Sequence, residues 1–456
     1  MAAMTVSASI GGSGTVDDPY TINSAEDLKE LSDNVRGGES YEGKFLKLTN
    51  DIDLYGYSNE GWQPIGWSKS ALKGIAFCGN FDGGGHVVSG LYFDQKKHSQ
   101  VGLFGYVKFG VISNLTLKNC MVHGMENVGA VVGCMSDGAT LKNVKVESGR
   151  VSGVRFVGGI VGQMSKDAAV VDCENKAEVS GHKTCGGIAG FMDGESVVRN
   201  SVNGGSVTGS VYNVGGVAGS VTKNSRIEQS ANYGVIKSGG QRTGGIVGYI
   251  ENSTIYMCSN TGKIQMDDDY AGGISGYARR TKISSSVNVA VVENSNSRGK
   301  AQCIGGISGY AAGSSEISQS LNCGDVIGGD ESGAIVGYKR GVEVTNTYYD
   351  GQMCVSRNAF GNKKKSVADT TRLFTNQMLG DSLKGKLNGE WEFADGFYPR
   401  LKGDRTKEVA YVASAPLIFR DTTENVYTIS DSFDLSLLEG TEWHSRSNAV
   451  FVRKEE

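Results

Sequence analysis

The pattern of hydrophobic and polar positions along this chain consists of short apolar runs, not long amphipathic stripes. Between Val101 and Asp350, no stretch of useful length places apolar residues at the i, i+3, i+4 spacing of an amphipathic helix. Each interval of about 28 residues instead holds two or three β-branched runs, separated by Asn, Ser, Gly and Lys. This pattern predicts strands of a few residues that are joined by tight turns.

One phrase, Gly-Gly-Ile-Val-Gly with small variations, recurs through the middle of the chain. The first glycines of its nine copies are Gly102, Gly129, Gly158, Gly186, Gly215, Gly244, Gly272, Gly305 and Gly333. Regular repeats of this length are typical of solenoids, in which each repeat forms one turn. The predicted fold is therefore all-β, a right-handed parallel β-helix of about ten coils. The double glycine is expected to provide positive φ at a corner, or close contact between coils.

A second set of residues keeps the same period and predicts a structural ladder. If coils stack at the strand spacing of about 4.8 Å, equivalent side chains lie directly above one another. Stacked asparagines can then satisfy one another's amides inside the fold. Two residues earlier stands a Cys or Ser, which we interpret as small packing residues. The ladder is predicted at Asn175, Asn203, Asn232, Asn260, Asn288 and Asn322.

An aromatic residue follows the glycine phrase in six repeats, which predicts an aromatic column. If its rings are exposed they could stack on sugar rings, whereas rings that point inward would belong to the core. The candidate ligand-binding residues are Tyr249, Tyr277, Tyr310 and Tyr338, and the column also includes Tyr106 and Phe191.

The segments on either side of the repeats lack the repeated glycine phrase. A helix is predicted from Ser24, its N-cap, to Val35, where it would cover the exposed end of the solenoid. The predicted divisions are a lead-in and cap at 1–92, repeats at 93–350, an exit segment and C-terminal cap at 351–403, and a small β-rich module at 404–456. This last module is too short for a complete immunoglobulin-like sandwich of ~100 residues, so it is expected to be a small module or cap of its own, or part of such a domain.

The repeated phrase and its flanks resemble the GLUG repeat of bacterial surface proteins. The lead-in carries Asp18-Pro-Tyr20, Trp62 and Pro64-Ile-Gly66, and the exit carries Tyr348-Tyr-Asp350, Trp391 and Tyr398-Pro-Arg-Leu401. The resemblance covers about residues 11–402. It implies a secreted or surface-anchored β-helix of the adhesin type. Such repeats also occur in non-catalytic regions of immunoglobulin-A-cleaving peptidases, so the resemblance is specific for architecture and not for activity.

Composition narrows the classes of partner. The net charge of −4 gives no field that would attract nucleic acid. No run approaches the ~18 apolar residues of a membrane helix, so no membrane insertion is expected within this chain. We expect an extracellular or cell-surface location for a monomer, and interpret Met1–Met4 as residues added in place of a leader that was removed. The nine cysteines show neither CxxC pairs nor zinc-finger spacing.

Candidate catalytic and metal-binding residues are few. Asp267, Asp268 and Asp269 beside Tyr270 predict a solvated turn or a loose calcium site, and calcium is the one cofactor considered. Asp82 and His86 stand together in the lead-in, where we interpret them as part of a turn. The chain contains no HExxH motif and no GxSxG motif in a strand-to-helix context. No catalytic residue is assigned. The longer repeat near 292–298 could decorate a functional face.

These observations favour a non-enzymatic adhesion or binding protein whose ligand is a glycan or a host or bacterial surface protein. One alternative is a polysaccharide lyase or glycoside hydrolase of the β-helix class, which would need clustered carboxylates on one face. The other alternative is a structural stalk, which would show uniformly short polar faces.

Overall fold

The computed structural model describes residues 10–57, 61–67, 75–294, 303–354, 358–362 and 370–406, together with three short strands further on. The chain is all-β apart from one short α-helix, and it forms a parallel β-solenoid of about 11 turns. The predicted fold class is confirmed, with about one coil more than expected. The longer repeat near 292–298 lies largely outside the described residues, as does most of 404–456.

Two long parallel sheets form the walls of the solenoid in the described part of the chain. The larger contains Tyr20–Ile22, Phe45–Leu48, Ile52–Asp53, Asn80–Asp82, Val87–Ser89, Phe104–Lys108, Val111–Lys118, Val132–Ser136, Thr140–Val146, Val161–Met164, Ala169–Val171, Glu174–Asn175, Ala189–Met192, Val197–Arg199, Val202–Asn203, Ala218–Val221, Arg226–Glu228, Ala231–Asn232, Val247–Glu251, Thr254–Tyr256, Ser259–Asn260, Ser275–Arg279, Lys282–Ser284, Val287–Asn288, Ser308–Ser318, Leu321–Asn322, Val336–Thr345, Thr347–Asp350 and Thr370–Leu373. The smaller contains Tyr92–Asp94, Cys120–His123, Glu126–Gly129, Gly149–Gly158, Glu178–Gly186, Val207–Gly215, Ile236–Ser238, Gln241–Gly244, Ile264–Met266, Ala271–Gly272, Val292–Asn294, Cys303–Gly305, Val326–Ile327 and Glu331–Gly333.

The remaining elements lie at the two ends of the chain. The α-helix spans Ala25–Gly37, and 3-10 helices span Tyr55–Tyr57, Thr375–Gln377 and Gly380–Leu383. Trp391–Glu392 pairs antiparallel with Arg400–Leu401. A separate sheet contains Phe419–Asp421, Val426–Ile429 and Val450–Arg453.

Coil-to-coil register keeps equivalent residues of successive repeats in line. Val161 pairs with Ala189, Ala189 with Ala218, and Ala218 with Val247. The Ile or Val that follows the double glycine points into the core, where Ile188, Ile246 and their equivalents are fully buried. The core is therefore a continuous apolar column along the axis, in which each coil buries its neighbours.

The corners do not use the glycines that the sequence suggested for positive φ. None of the repeat glycines between Gly102 and Gly337 that form the phrase has a positive φ. Left-handed backbone is instead adopted two residues before the first glycine, by Gln100, Asn127, Phe156, Thr184, Asn213, Arg242 and Tyr270. The expectation of positive φ at the double glycine was therefore wrong. Close contact is the physical reason for glycine, because a Cβ on Gly158 would lie 1.9 Å from the carbonyl oxygen of Val161.

The asparagines form a buried ladder, in which each Nδ2 donates a hydrogen bond to the Oδ1 of the next coil. The Nδ2–Oδ1 distance is 2.8–2.9 Å at each of the five contacts between Asn175 and Asn322. Each side chain also donates to a backbone carbonyl two residues later, as Asn232 does to Gly234 at 3.0 Å. All six are fully buried, and every one of these amides has partners.

The second glycine of each phrase makes room for this ladder. A Cβ added at Gly159, Gly187, Gly216, Gly245, Gly273 or Gly306 would lie 2.1–2.4 Å from the asparagine beside it. Where the ladder stops, both positions change. In the coil before the ladder, Ala130 replaces the second glycine and Val146 occupies the asparagine position. In the coil after it, Ala334 replaces the second glycine and Tyr349 occupies the asparagine position. The double glycine and the asparagine are thus two parts of one packing arrangement.

The N-terminal helix closes one end of the solenoid, as predicted. The Ser24 hydroxyl accepts from the backbone of Asp27, whose carboxylate in turn accepts from the Ser24 backbone. This capping box satisfies amide groups that would otherwise lack partners. Leu28, Leu31 and Val35 are fully buried against the first coils. The helix therefore covers apolar core that a solenoid end would expose.

The exit segment folds back along the flank of the solenoid. The buried Asp350 carboxylate accepts from the hydroxyls of Thr375 at 2.6 Å and Tyr398 at 2.7 Å. Further along, Asn388 donates to Ser285, and Arg405 donates to the carbonyl of Asn200, five coils back from Asp350. Met378, Leu383, Leu387 and Trp391 form a second apolar cluster against the coils. Asp350, Trp391 and Tyr398 thus hold the exit segment against the coils.

Candidate functional site

Four tyrosines form one stacked column on the outside of the solenoid, here called the tyrosine strip (Tyr249, Tyr277, Tyr310 and Tyr338). Coil-to-coil register places them directly above one another. Successive ring centroids are 5.5, 4.7 and 5.2 Å apart, and the interplanar angles are 21°, 4° and 2°. All four side chains are half-buried. The strip therefore lies at the boundary between the fold and solvent.

Stacking determines which part of each ring a ligand can reach. The inner faces of the strip lie against one another, which leaves mainly edges and hydroxyls for contact with solvent. A sugar stacked flat on these faces, as the sequence suggested, would have to displace a neighbouring tyrosine. The geometry favours a ligand that meets ring edges and exchanges hydrogen bonds with the hydroxyls.

Two corner residues lie against the strip, and both were missed from sequence. The guanidinium carbon of Arg242 is 5.1 Å from the ring centroid of Tyr249 and 5.3 Å from that of Tyr277. Tyr270 meets Tyr277 and Tyr310 edge-on, at 5.7 and 5.5 Å. Each stands two residues before the first glycine of its repeat. That shared position was the available signal, but the residue types along it are too varied to reveal a column.

The strip's hydroxyls differ in their partners. Tyr249 donates to the Glu251 carboxylate at 2.7 Å, and burial together with this carboxylate raises the pKa of Tyr249 to about 12. The same hydrogen bond, with help from Arg280 and Arg279, holds the pKa of Glu251 below its usual value. The hydroxyls of Tyr277 and Tyr338 have no hydrogen-bond partner within the described part of the chain. They are therefore free to bind a ligand.

The aromatic column does not continue unbroken towards the N-terminus. Tyr106 and Phe191 occupy the same register position, but Cys134, Gln163 and Ser220 stand at the coils between and beyond them. Phe191 stacks on the corner residue Phe156 instead, at 4.8 Å. The six-residue column predicted from sequence is thus a strip of four and two separate aromatics.

The acidic candidates do not converge on a common point. The Asp268 carboxylate accepts from the backbone of Asp269 at 2.9 Å, which is a local turn contact. Over the described ranges, no group of three or more His, Cys, Asp or Glu side chains is arranged to hold a metal ion. Calcium at Asp267, Asp268 and Asp269 stays a prediction without geometric support.

The lead-in pair is separated in the structure. His86 lies 3.2 Å from a carboxylate oxygen of Asp51, whereas Asp82 accepts from the backbone of Gly84 and from the amide of Asn114. Asp82 thus holds a turn, in line with its interpretation from sequence. Asp82 and His86 therefore do not pair with each other.

All nine cysteines are free, and eight of them are buried. Burial raises the pKa of the Cys120, Cys173 and Cys258 thiols to about 12. A thiol with so high a pKa carries almost no thiolate at neutral pH and is a poor nucleophile. The cysteines therefore pack the core and provide no reactive centre.

Comparison with known proteins identifies the repeat. The family model of the GLUG motif matches residues 239–265, a segment that contains Arg242 and Tyr249. Halomucin from Haloquadratum walsbyi is 34% identical over 140 residues, which are 29% of this chain and 1% of halomucin. A protein of Evansella cellulosilytica that is described as a Gly-rich membrane protein is 33% identical over 147 residues, which are 30% of this chain and 16% of that protein. The matches thus cover a small part of either relative.

A solved structure can be aligned with most of this chain. It is a protein from Bacteroides ovatus described as an immunoglobulin A1 protease, with 18% sequence identity and a TM-score of 0.40 over 86% of this chain and 94% of that one. No helix in the described residues is long and apolar enough to cross a membrane. The predicted resemblance is confirmed at the motif: the chain is a parallel β-solenoid that carries the GLUG motif.

Proposed function

We propose that this chain is a non-catalytic binding protein, secreted or displayed at a cell surface, that holds an extended ligand along the tyrosine strip. The observation that carries the proposal is the in-register stack of four half-exposed tyrosines, two of which have hydroxyls without a hydrogen-bond partner among the described residues. The ligand is a glycan or an extended segment of a surface protein. The GLUG motif and the membrane-protein relative support the location.

The spacing of the strip favours a ligand with a repeating backbone. Hydroxyls that recur once per coil are about 4.8 Å apart. This spacing is close to the length of one sugar unit in an extended polysaccharide, and to the distance between neighbouring strands. Because the coils are fixed by the asparagine ladder, the donors are held in place before the ligand arrives, which lowers the entropy lost on binding.

The test is a screen of the purified chain against arrays of glycans and of host and bacterial surface proteins. The double variant Tyr277→Phe with Tyr338→Phe keeps the stack and removes the two free hydroxyls. We expect it to weaken binding of the selected ligand by about tenfold, since each neutral hydrogen bond contributes about 0.5–1.5 kcal/mol. Tyr106→Phe is the matched control, because that hydroxyl already pairs with Ser136 outside the strip. It should bind normally.

Each other outcome selects a different function. Unchanged binding by the double variant would contradict the strip as the binding surface. Soluble polysaccharides incubated with the chain should remain intact, and their cleavage would favour an enzyme of the β-helix class. Blank arrays with intact polysaccharides would favour a structural stalk.

A further inference from the structure

A small pocket lies at the N-terminal end of the solenoid, between the capping helix and the first coils. Its volume is about 110 Å³, below the few hundred Å³ of pockets that hold drug-sized ligands. The lining consists of Arg36, Gln63, Pro64, Trp67, Phe93, Gln95, His98 and Val101. A pocket of this size suits a single ring or the last unit of a longer chain.

The walls of the pocket are held firmly by the fold. Trp67 is fixed by backbone hydrogen bonds to Ile75 in both directions, at 3.0 and 3.3 Å. The His98 ring meets Phe93 edge-on at 6.1 Å and lies 6.5 Å from the Trp67 ring. Arg36 stands in the last turn of the capping helix. The half-buried indole of Trp67 is therefore a preformed aromatic wall.

Four polar side chains in the lining are without a bonded neighbour in the part of the chain that the structure describes. Within the described residues, the side chains of Arg36, Gln63, Gln95 and His98 form no hydrogen bond or ion pair. One fixed aromatic wall surrounded by free amides and a guanidinium is an arrangement that can stack on a sugar ring and bind its hydroxyls. No carboxylate belongs to the lining.

Among the described residues, the charged groups at the pocket are basic. Lys96 and Lys97 are exposed in the turn between Gln95 and His98. The nearest acidic residue in this turn, Asp94, is already paired with His123 at 3.3 Å. A guanidinium binds a carboxylate through two parallel hydrogen bonds. The aromatic wall and the amides can bind a sugar ring, and Arg36 therefore adds selectivity for a sugar that carries an anionic group.

From this geometry, we propose that the pocket binds one sugar unit that carries a carboxylate, a uronic acid at the end of or within a glycan. The Trp67 ring stacks on the sugar, Gln63 and Gln95 bind its hydroxyls, and Arg36 binds its carboxylate. The proposal rests on the proposed binding function, because it gives the ligand class as glycan.

The pocket and the tyrosine strip lie along the same corner of the solenoid. Val101, which lines the pocket, pairs with Val128, and the same register column continues to Thr243 and Ala271 beside the strip. An acidic polysaccharide could therefore run along this corner, with one unit in the pocket and later units over the tyrosines.

The test uses the full chain with D-glucuronate and D-galacturonate, with glucose and galactose as neutral counterparts. Binding is measured by tryptophan fluorescence and by saturation-transfer NMR. We expect the uronates to bind and to change the fluorescence, and Trp67→Phe to remove that change. Arg36→Gln should weaken uronate binding by about tenfold or more, because a hydrogen bond to a charged group is lost, and should leave the neutral sugars unchanged. Lys29→Gln is the control on the same helix.

Two results would overturn the proposal: no uronate binding by the native chain, or equal uronate binding by Arg36→Gln. Arg36 is exposed, so its substitution should leave the fold intact, which thermal unfolding checks. The monosaccharides are too short to reach the tyrosine strip. Uronate binding that survives Tyr277→Phe with Tyr338→Phe, while the long ligand found on the arrays is lost, supports both sites as separate. If the arrays are blank and uronates still bind, only the role of the strip fails.

Discussion

Two columns of identical side chains run along this solenoid, and they differ in what surrounds them. The asparagine ladder is fully buried, and its amides bond to one another and to the backbone. The tyrosine strip is half-exposed, and two of its hydroxyls bond to nothing in the described part of the chain. The same repetition therefore serves stability in one column and leaves unsatisfied bonding capacity in the other.

This difference shows how a structural column can be distinguished from a candidate binding column in a repeat protein. The sequence period is the same for both columns and cannot distinguish them. What separates them is whether the polar atoms are already paired, because a paired buried group stabilises the fold whereas an unpaired exposed one is available to a ligand. Substitutions in the two columns should therefore affect different measurements.

The largest effect is expected from Asn232→Ala. It removes three hydrogen bonds inside the solenoid: the one that Asn232 accepts from Asn203, and those that it donates to Asn260 and to the carbonyl of Gly234. The free energy of unfolding should fall by about 3–5 kcal/mol, since each buried unsatisfied group costs about 1–3 kcal/mol. Denaturant unfolding measures this loss. The exposed Lys237→Ala in the same coil should change it by about 0.5 kcal/mol at most, and a similar loss for both variants would contradict a structural ladder.

A smaller effect is expected from Gly245→Ala, which tests why the phrase needs its second glycine. The new methyl group would lie 2.1 Å from the Gly273 carbonyl oxygen and 2.3 Å from Asn260. The surrounding backbone and side chains must shift to accept this methyl group, which should lower the free energy of unfolding by about 1–3 kcal/mol. The reverse change, Ala130→Gly, lies outside the ladder and should lower it by about 0.5–1 kcal/mol. Equal losses at both positions would remove the link between glycine and asparagine.

The smallest effect concerns pH and the strip. The pKa of Tyr249 is raised above that of an unfolded tyrosine, to about 12. Its contribution to stability is therefore fully present below about pH 10 and is lost as the pH rises towards about 12. The loss should be on the order of 1 kcal/mol after allowance for solvent screening. Between about pH 9 and pH 11.5, the native chain should lose more stability than Tyr249→Phe by this amount, because the other tyrosines and the buried thiols titrate in both chains, and identical pH dependence would contradict it.

Much of the fold was predictable because its determinants are local and repeated. The period, the strand content, the capping helix and the GLUG resemblance all follow from short patterns that the structure keeps in register. The contact between Gly245 and Asn260 was not predictable, although both residues had been recognised as periodic. They stand 15 residues apart, and only the cross-section of a coil brings them together.

The candidate site was predicted only in part. The four tyrosines were identified by their period, but the way their rings face each other depends on side-chain packing that no spacing reveals. Arg242 and Tyr270 were missed because their corner position accepts Gln, Asn, Phe and Thr in other coils. The N-terminal pocket combines Arg36, Trp67 and His98 from three separate segments, so no sequence motif could indicate it.

The buried thiols have a consequence for how this solenoid can be observed. Cysteines are distributed from Cys78 to Cys354, with eight of nine shielded from solvent. A thiol reagent can modify each of these eight only when the surrounding coil opens, so labelling rates would report local opening free energies along the axis. The chain thus carries its own set of position-specific reporters, and fraying from either end could be followed by mass spectrometry without introducing a single probe.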